Sequence, residues 1–373
     1  MRLQRQLSVN ELLVTALRSP WKLVTLNMSE WDVLVRQARN ANLLARIAGL
    51  VEDLTLTIHP GPRAHLESAS AIAERQYAAV QWEAAKIARA LADTGAPVIF
   101  LKGAAYVLAG LPVAQGRVFS DIDILVPKSL LPCVEAALML HGWAGVEQDA
   151  YDNNYYRRWM HELPPMEHIK RGSVLDVHHA ILPETSDRHP SSEKLIAASV
   201  PTESLGLRVL APVDMMLHSA THLFDDGEWD HGLRDLVDLD GLLRHFGRDE
   251  LFWKELVPRA VQLELARSLF YALRYVTRIL RTPIPTEVIR AVDLVHGARP
   301  PDLLLMLMDA LFLRALRPSH RTAQDALTPF ARWLLYVRAH WLRMPPHLLI
   351  YHLLRKALKR AHVTKKQDDQ ALA

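Results

Sequence analysis

The chain has almost no cysteine and no long uncharged apolar run, and each absence restricts the class of protein. Cys133 is the only cysteine in 373 residues, so no disulfide can form within the chain, and a reducing compartment is the simplest interpretation. No uncharged apolar stretch reaches the ~18 residues of a candidate membrane span. The most apolar run, 303–317, is interrupted by Asp309 and Arg314, and residues 1–13 lack the apolar segment of a signal peptide. The sequence therefore predicts a cytoplasmic protein.

Charge of either sign is in no large excess. The 44 lysines and arginines stand against 41 acidic residues, which gives a net charge of +3 and a pI of about 8.9. Such a mild balance gives no strong indication of a nucleic-acid partner. With 50% hydrophobic and 23% charged residues the composition is that of a globular protein, and the length predicts two or three structural units.

Hydrophobic periodicity predicts an α+β chain that is mostly helical, with a small mixed sheet flanked by N-terminal and C-terminal helical regions. Ser29 and Asp32 have the spacing of a capping box at an early helix start. The predicted regions are an N-terminal helical region 1–94, an α/β core 95–210, a helical domain 211–329, and basic C-terminal helices with a tail, 330–373.

Short apolar runs rich in β-branched residues mark the strands of the core. The runs 96–101 and 118–126 predict two strands, and the segment 151–182 predicts more, with a turn at 170–173 that contains Gly172. In the helical domain the longest predicted helix covers 250–281.

Two acids interrupt the apolar run at 118–126. Alternate residues of a strand share a face, so Asp121 and Asp123 are expected to point the same way while Ile122 and Ile124 enter the core. Two carboxylates this close repel each other unless a cation lies between them, and Mg²⁺ prefers carboxylate oxygens. The alternative is a polar strand edge with solvated aspartates, and the D-x-D pattern alone does not decide between the two.

A lysine–glycine turn lies upstream, at the end of the strand 96–101 and just before a helix. Glycine lets backbone amides approach a phosphate, and a helix N-terminus favours anions. Lys102 precedes Gly103 and adds a positive charge that could reach a phosphate tail. Arg117 lies four residues before Asp121, in a loop that could reach the same cleft.

A third acid, Asp176, lies in the later predicted strand with sequence VLDVHHA. Strand alternation places Asp176 and His178 on one face. If this strand neighbours the D-x-D strand, Asp176 reaches the same metal ions. His178 could then donate a hydrogen bond to the Asp176 carboxylate, or it could face solvent.

These elements together resemble a known family. A strand, Leu101-Lys102-Gly103 and a helix, followed by R-x-x-S-D-I-D-I-L-V and a later isolated Asp176, resemble the nucleotidyltransferase fold of the DNA polymerase β superfamily. More narrowly, the chain resembles the bacterial "uncharacterised nucleotidyltransferase" family, whose members carry an LKG turn, R-x-x-x-D-x-D and a segment of the form [L/I]-[D/E]-x-H-[W/H]. The resemblance covers roughly residues 70–250.

The resemblance implies a role for each motif residue. The carboxylates of Asp121, Asp123 and Asp176 would ligate two Mg²⁺ ions, and Asp176 would also help to deprotonate the acceptor. The implied nucleotide-binding residues are Lys102, Gly103, Ala104, Arg117 and Ser120. The chain departs from the superfamily where Ala104 and Ala105 replace the Ser or Gly that usually follows the turn glycine, so a phosphate-binding hydroxyl is missing.

Two histidines and several acids follow in the segment 218–243. His218 and His222 are four residues apart on one helix face, a spacing that could bind zinc or another transition metal. The glutamate of an H-E-x-x-H motif is absent, and polar contacts between helices at the cleft wall are the favoured interpretation. A third is that His222 and Asp235 shape the nucleotide or acceptor pocket.

Two further segments combine aromatic and basic residues. Arg157 and Arg158 lie among aromatics in 152–168 and could stack on a nucleotide, or the segment could be an ordinary hairpin. The segment 330–366 contains nine Lys/Arg and no Asp or Glu, with interleaved aromatics. It could contact a membrane surface peripherally, or pack on the body of the protein with a solvated basic face.

The predicted function is Mg²⁺-dependent transfer of a nucleotidyl group from an NTP to an unidentified hydroxyl acceptor. One alternative is a catalytically silent nucleotide- or sugar-phosphate-binding protein of the same fold, because the turn lacks its hydroxyl. Another is a scaffold peripheral to the membrane that uses the basic C-terminal helices.

Overall fold

The computed structural model describes residues 11–145, 161–203 and 206–343. Within them the chain forms helices, one seven-stranded mixed sheet and further helices, as predicted. Arg157, Arg158 and the C-terminal part of the basic segment, 344–366, lie outside the described residues. No helix in the described residues is long and apolar enough to cross a bilayer.

The N-terminal region is built from four α-helices and a 3₁₀ turn at Pro20–Thr25. The helices are α1 (Leu12–Arg18), α2 (Met28–Asn40), α3 (Leu44–Asp53) and α4 (Pro60–Leu91). A capping box does begin α2, but Asn27 and Glu30 form it instead of the predicted Ser29 and Asp32. Asn27 has extended backbone and accepts from the Glu30 amide, so the helix starts two residues earlier.

The central region contributes all the described strands and three helices. The strands are β1 (Ile99–Phe100), β2 (Ile122–Leu125), β3 (Trp143–Gly145), β4 (Met166–His168), β5 (Val174–His178), β6 (Val200–Pro201) and β7 (Arg208–Val209). The helices are α5 (Lys102–Leu108), α6 (Leu131–Leu140) and α7 (Ser192–Ala198). Gly172, with φ of +66°, closes the predicted turn between β4 and β5.

The sheet order is β3-β4-β5-β2-β1-β7-β6, with β2 and β5 parallel at its centre. The predicted strand 118–126 is shorter than expected, because its ladder begins at Ile122. Asp121 therefore lies one residue before the strand and is exposed. Ile122 and Ile124 are buried as predicted, at 5% and 0% exposure.

The C-terminal region consists of seven described α-helices. They are α8 (Pro212–Asp225), α9 (Gly232–Phe246), α10 (Glu250–Gln262), α11 (Ala266–Tyr275), α12 (Thr286–Leu294), α13 (Asp302–Ala315) and α14 (Thr328–Arg343). The predicted single helix over 250–281 is wrong, because the chain breaks at Glu264, where φ is +59°. Leu263 is the C-cap of α10 and Leu265 the N-cap of α11, and both are fully buried beside the break.

An aromatic cluster joins three of these helices. The Phe312 ring on α13 lies 5.3 Å from Phe224 on α8, and 5.0 Å and 5.1 Å from Tyr271 and Tyr275 on α11. Offset and edge-on aromatic pairs at these separations stabilise a core beyond the area they bury. The cluster fixes α8, which forms one wall of the site described below.

We expect Phe312→Ala to lower the free energy of unfolding by about 3–5 kcal/mol, because it leaves a cavity among three aromatic rings. Phe330→Ala is the matched control, because Phe330 is 55% exposed on α14. Chemical denaturation of both variants checks this. Equal losses in the two would contradict the assignment of Phe312 to the core.

Candidate active site

The parallel pair β2 and β5 brings two acids side by side. Asp123 pairs in register with Asp176, and paired residues of adjacent strands point to the same face of a sheet. Asp123 is 3% exposed, and Asp176 is half-buried. The two carboxylates, 53 residues apart in the sequence, therefore share one face of the sheet, as the sequence predicted.

Lys102 lies at the first turn of α5 and reaches this face. Its Nζ donates to Asp123 Oδ1 over 3.0 Å. Burial alone would lower the pKa of Lys102, but the Asp123 and Asp121 carboxylates outweigh burial, and the pKa is raised. Lys102 has a φ of +45°, a left-handed conformation that costs a non-glycine residue of order 1 kcal/mol. The strained backbone of Lys102 thus accompanies the placement of its ammonium group beside Asp123.

His178, at the end of β5, binds two acids. Its Nε2 lies 3.0 Å from Asp123 Oδ1, and its Nδ1 lies 3.1 Å from Glu162 Oε2. Burial would lower the pKa of His178, but Glu162 and Asp123 raise it, and a ring that donates through both nitrogens is an imidazolium. The predicted hydrogen bond from His178 to an acid therefore goes to Asp123 and Glu162 instead of Asp176.

Asp176, unlike Asp123, receives no hydrogen bond from Lys102 or His178 among the contacts of the described residues. Its Oδ1 is buried and has no hydrogen-bond partner among the described residues. Burial, followed by the charges of Asp123 and Glu162, raises the pKa of Asp176 to about 7. A buried carboxylate oxygen without a partner, beside another acid, fits a divalent cation, because a hard cation accepts oxygen ligands at this kind of face.

A group of possible metal ligands extends the acid cluster. Within the described part of the chain, His161, Glu162 and His178 each have an atom that can ligate a metal, and these atoms lie within 4.8 Å of one another. His178 would have to release a proton before it could bind an ion. His161 Nδ1 is buried and unpartnered, and burial lowers the pKa of this ring well below its usual value. His161 and Glu162 were not among the predicted site residues, and they reach the site through an isolated bridge between Glu162 and His178.

Asp121 stands at the mouth of the site. It is exposed and accepts a hydrogen bond of 2.9 Å from Ser120 Oγ to its Oδ1. Its charge acts on both Lys102 and Asp176. Asp121 is therefore electrostatically coupled to the buried pair, although it lies outside the strand.

Gly103 is needed for a reason that the sequence did not reveal. A Cβ at this position would lie 2.8 Å from Phe119 Cδ1 and 3.0 Å from Arg117 Cζ. Arg117 is buried, stacks near Phe119, and donates from its Nε to Asp238 Oδ2 over 2.8 Å. The Arg117 guanidinium thus lies close to Gly103, and its positive charge is paired with the Asp238 carboxylate on α9. Ala104 is also buried, at 2% exposure.

A small polar cavity lies beside Lys102. Its lining includes Arg117, His222, Arg234 and Asp235, so the predicted pair His222 and Asp235 does face the site. His218 is buried on the same helix as His222, and burial lowers its pKa to about 3, which keeps the ring neutral. His222 Nδ1 lies 3.4 Å from Asp226 Oδ2. The two histidines therefore form part of the wall made by α8.

The comparisons with known proteins identify a nucleotidyltransferase family. The model of the family described as "Uncharacterised nucleotidyltransferase" matches residues 27–281, and the chain belongs to that family. Family membership supports a general role in nucleotidyl transfer and implies a nucleotide substrate and use of a metal.

One solved structure is distantly similar. It is the crystal structure of an antigenic nucleotidyltransferase-like protein from Paracoccidioides brasiliensis, with 13% sequence identity and a TM-score of 0.30. The match covers 57% of this chain and 96% of that one. No protein of curated function matches the chain.

We expect the stability of the metal-free protein to fall as pH rises from about 4 to about 7, in part because of Asp176. Its folded pKa of about 7 exceeds the ordinary 3.8, so its protonated form favours folding at low pH and this contribution is lost as the group ionises. Asp176→Asn should reduce the loss between pH 5 and 8 by on the order of 2 kcal/mol.

Urea denaturation in EDTA at the two pH values measures this difference. Asp93→Asn, at an exposed acid in the turn after α4, is the matched control and should leave the loss unchanged. An Asp176→Asn protein that loses as much stability as the wild type would show that Asp176 is not the titrating group.

Proposed function

We propose that the protein is a Mg²⁺-dependent nucleotidyltransferase that moves a nucleotidyl group from an NTP to a hydroxyl acceptor. The observation that carries the proposal is the adjacent pair of Asp123 and Asp176, with the buried Asp176 oxygen unpartnered among the described residues. Asp121, Asp123 and Asp176 would hold two Mg²⁺ ions, which would neutralise the triphosphate and the charge that develops in transfer.

Protein groups around the turn would bind and orient the phosphates. The Lys102 Nζ lies 3.0 Å from Asp123 Oδ1 and would pair with a phosphate oxygen as well as with Asp123. The amides of Gly103 and Ala104 begin α5 and would donate to the phosphates. Arg117, paired with Asp238, would add positive potential, and Ser120 at the mouth would donate from its hydroxyl.

The transfer is a substitution at the α-phosphorus. The acceptor oxygen forms a bond to that phosphorus, the bond from the phosphorus to the bridging oxygen of the β-phosphate breaks, and pyrophosphate leaves. The acceptor proton passes to the Asp176 carboxylate.

We expect transfer of α-labelled ATP, CTP, GTP or UTP in the presence of Mg²⁺ to an acceptor in an extract of the cells that make the protein. Asp123→Asn and Asp176→Asn should each lower the rate on the order of 100-fold or more, because each removes a carboxylate that would hold the Mg²⁺ ions at the reacting phosphate. Asp93→Asn should leave the rate unchanged. Transfer that persists in both active-site variants would refute the proposal.

The silent binding protein differs from the enzyme in one outcome of this experiment. Residues 104 and 105 are both alanine, so the turn offers no hydroxyl at either position. Both side chains are buried, at 2% and 1% exposure. If the protein binds nucleotide in a way that depends on Asp123 but transfers no label to any component of the extract, it is a binding protein and not an enzyme.

A peripheral membrane role is a second candidate, and the exposed aromatics of α14 favour it. Trp333 and Trp341 are 55% and 58% exposed, and Phe330 stacks 5.9 Å from Trp333. These positions share one face of the helix, in a segment with nine Lys/Arg and no acid over 330–366. Aromatic rings beside basic residues suit the interface of an anionic bilayer.

We expect the double substitution Trp333→Gln and Trp341→Gln to reduce sedimentation with anionic vesicles several-fold, because it removes the apolar anchors and keeps the charge. Trp21→Gln is the control, since Trp21 is 61% exposed outside α14. If neither change alters sedimentation, or the wild type does not bind vesicles, the membrane role is excluded.

A further inference from the structure

A second, larger cavity opens on the other side of Asp121. It has a volume of about 480 Å³ and lies between α4 and the beginnings of β2 and β5. Asp121 and Ser120 line it, so it adjoins the carboxylate site at these two residues. A volume of this size is within the range of small-molecule sites in proteins.

Two aromatic rings face this cavity. Trp82 on α4 is 52% exposed although it lines a concave surface, and Phe119 lies opposite it on the segment before β2. Gln76 fixes this segment by accepting from the Phe119 amide over 3.0 Å. Ala79 and Val80 add apolar surface between the rings. The walls therefore suit a flat, largely apolar group.

Of the charged residues that line the cavity, Arg171 is paired with Glu83 within the wall, and Asp121 adds a further negative charge. The Arg171 Nε donates to Glu83 Oε2 over 3.0 Å, and the guanidinium lies 5.5 Å from the ring centroids of both Trp82 and Trp143. Among the lining residues that the structure describes, no cation is left over for a phosphate. The Lys102 side chain lines the small polar cavity instead.

We infer that this cavity, hereafter the Trp82 cleft, binds the nucleoside of the NTP, with the base against Trp82 and Phe119. The inference rests on the proposed function and deepens it, because it places the nucleoside apart from the groups that would bind the phosphates. Triphosphate oxygens meet the cation at Lys102, the reacting phosphorus meets the acids, and the uncharged nucleoside enters the aromatic cleft beyond Asp121.

The test compares the binding of α,β-methylene analogues of ATP, CTP, GTP and UTP with that of inorganic tripolyphosphate, all with Mg²⁺. Trp82→Leu should weaken binding of the preferred analogue about fivefold or more, because base–aromatic stacking is lost, and leave tripolyphosphate unchanged. Ala79→Leu, which fills the cleft from an exposed position of α4, should act in the same direction. Trp21→Leu is the matched control and should change neither ligand.

The outcomes separate the cleft from the enzyme. If Trp82→Leu and Ala79→Leu leave the analogues unchanged while Asp123→Asn abolishes transfer, the cleft assignment is overturned and the proposed function stands. Equal weakening of analogue and tripolyphosphate also overturns it, because the loss is then not specific to the nucleoside. If the wild type binds neither ligand and transfers no label, the proposed function fails first and the cleft assignment falls with it.

Discussion

Repulsion between buried acids is the constraint on which the rest of the site depends. Parallel pairing of β2 with β5 forces Asp123 and Asp176 onto one face, and the bridge to Glu162 adds a third acid nearby. Buried like charges raise one another's pKa unless cations balance them. Lys102 and His178 both bind the same oxygen of Asp123, which accounts for the lowered pKa of Asp123 despite its burial. The buried Oδ1 of Asp176 has no hydrogen-bond partner among the described residues, and the pKa of Asp176 is raised. A bound cation would stabilise the ionised carboxylate and lower this pKa.

The helical regions hold the turn before α5 against this sheet. Arg117 joins the turn to α9 through Asp238, and a 2.6 Å hydrogen bond joins the hydroxyls of Tyr106 on α5 and Ser219 on α8. Gly103 lacks the Cβ that would collide with Arg117. Lys102 is therefore positioned by contacts on both sides of it, which is how its strained backbone can persist.

The sequence was sufficient to predict the elements whose signals are local or periodic. The alternation around Asp123 and Asp176, and Gly172 in its turn, each follow from residues within one strand or loop. Long-range contacts had no such signal. Glu162 reaches His178 by a bridge between distant segments, and the ring of Trp82 belongs to the site only because α4 packs beside β2. The break at Glu264 was missed because the apolar spacing continues through it.

The distribution of charge also sets what the site can discriminate. The positive charges of Lys102 and Arg117 would recognise phosphate. Every nucleotide carries phosphate, so these charges cannot distinguish one base from another. The Trp82 cleft offers mostly apolar walls, in which Arg171 pairs with Glu83 and Asp121 adds a negative charge. Stacking on an aromatic ring tolerates any base. A buried polar group discriminates, because a base that cannot form a hydrogen bond with it leaves it unpaired and binds more weakly. Selectivity among bases, where it exists, must therefore come from polar atoms at the cleft, such as Gln76 and Ser173, and not from the carboxylates.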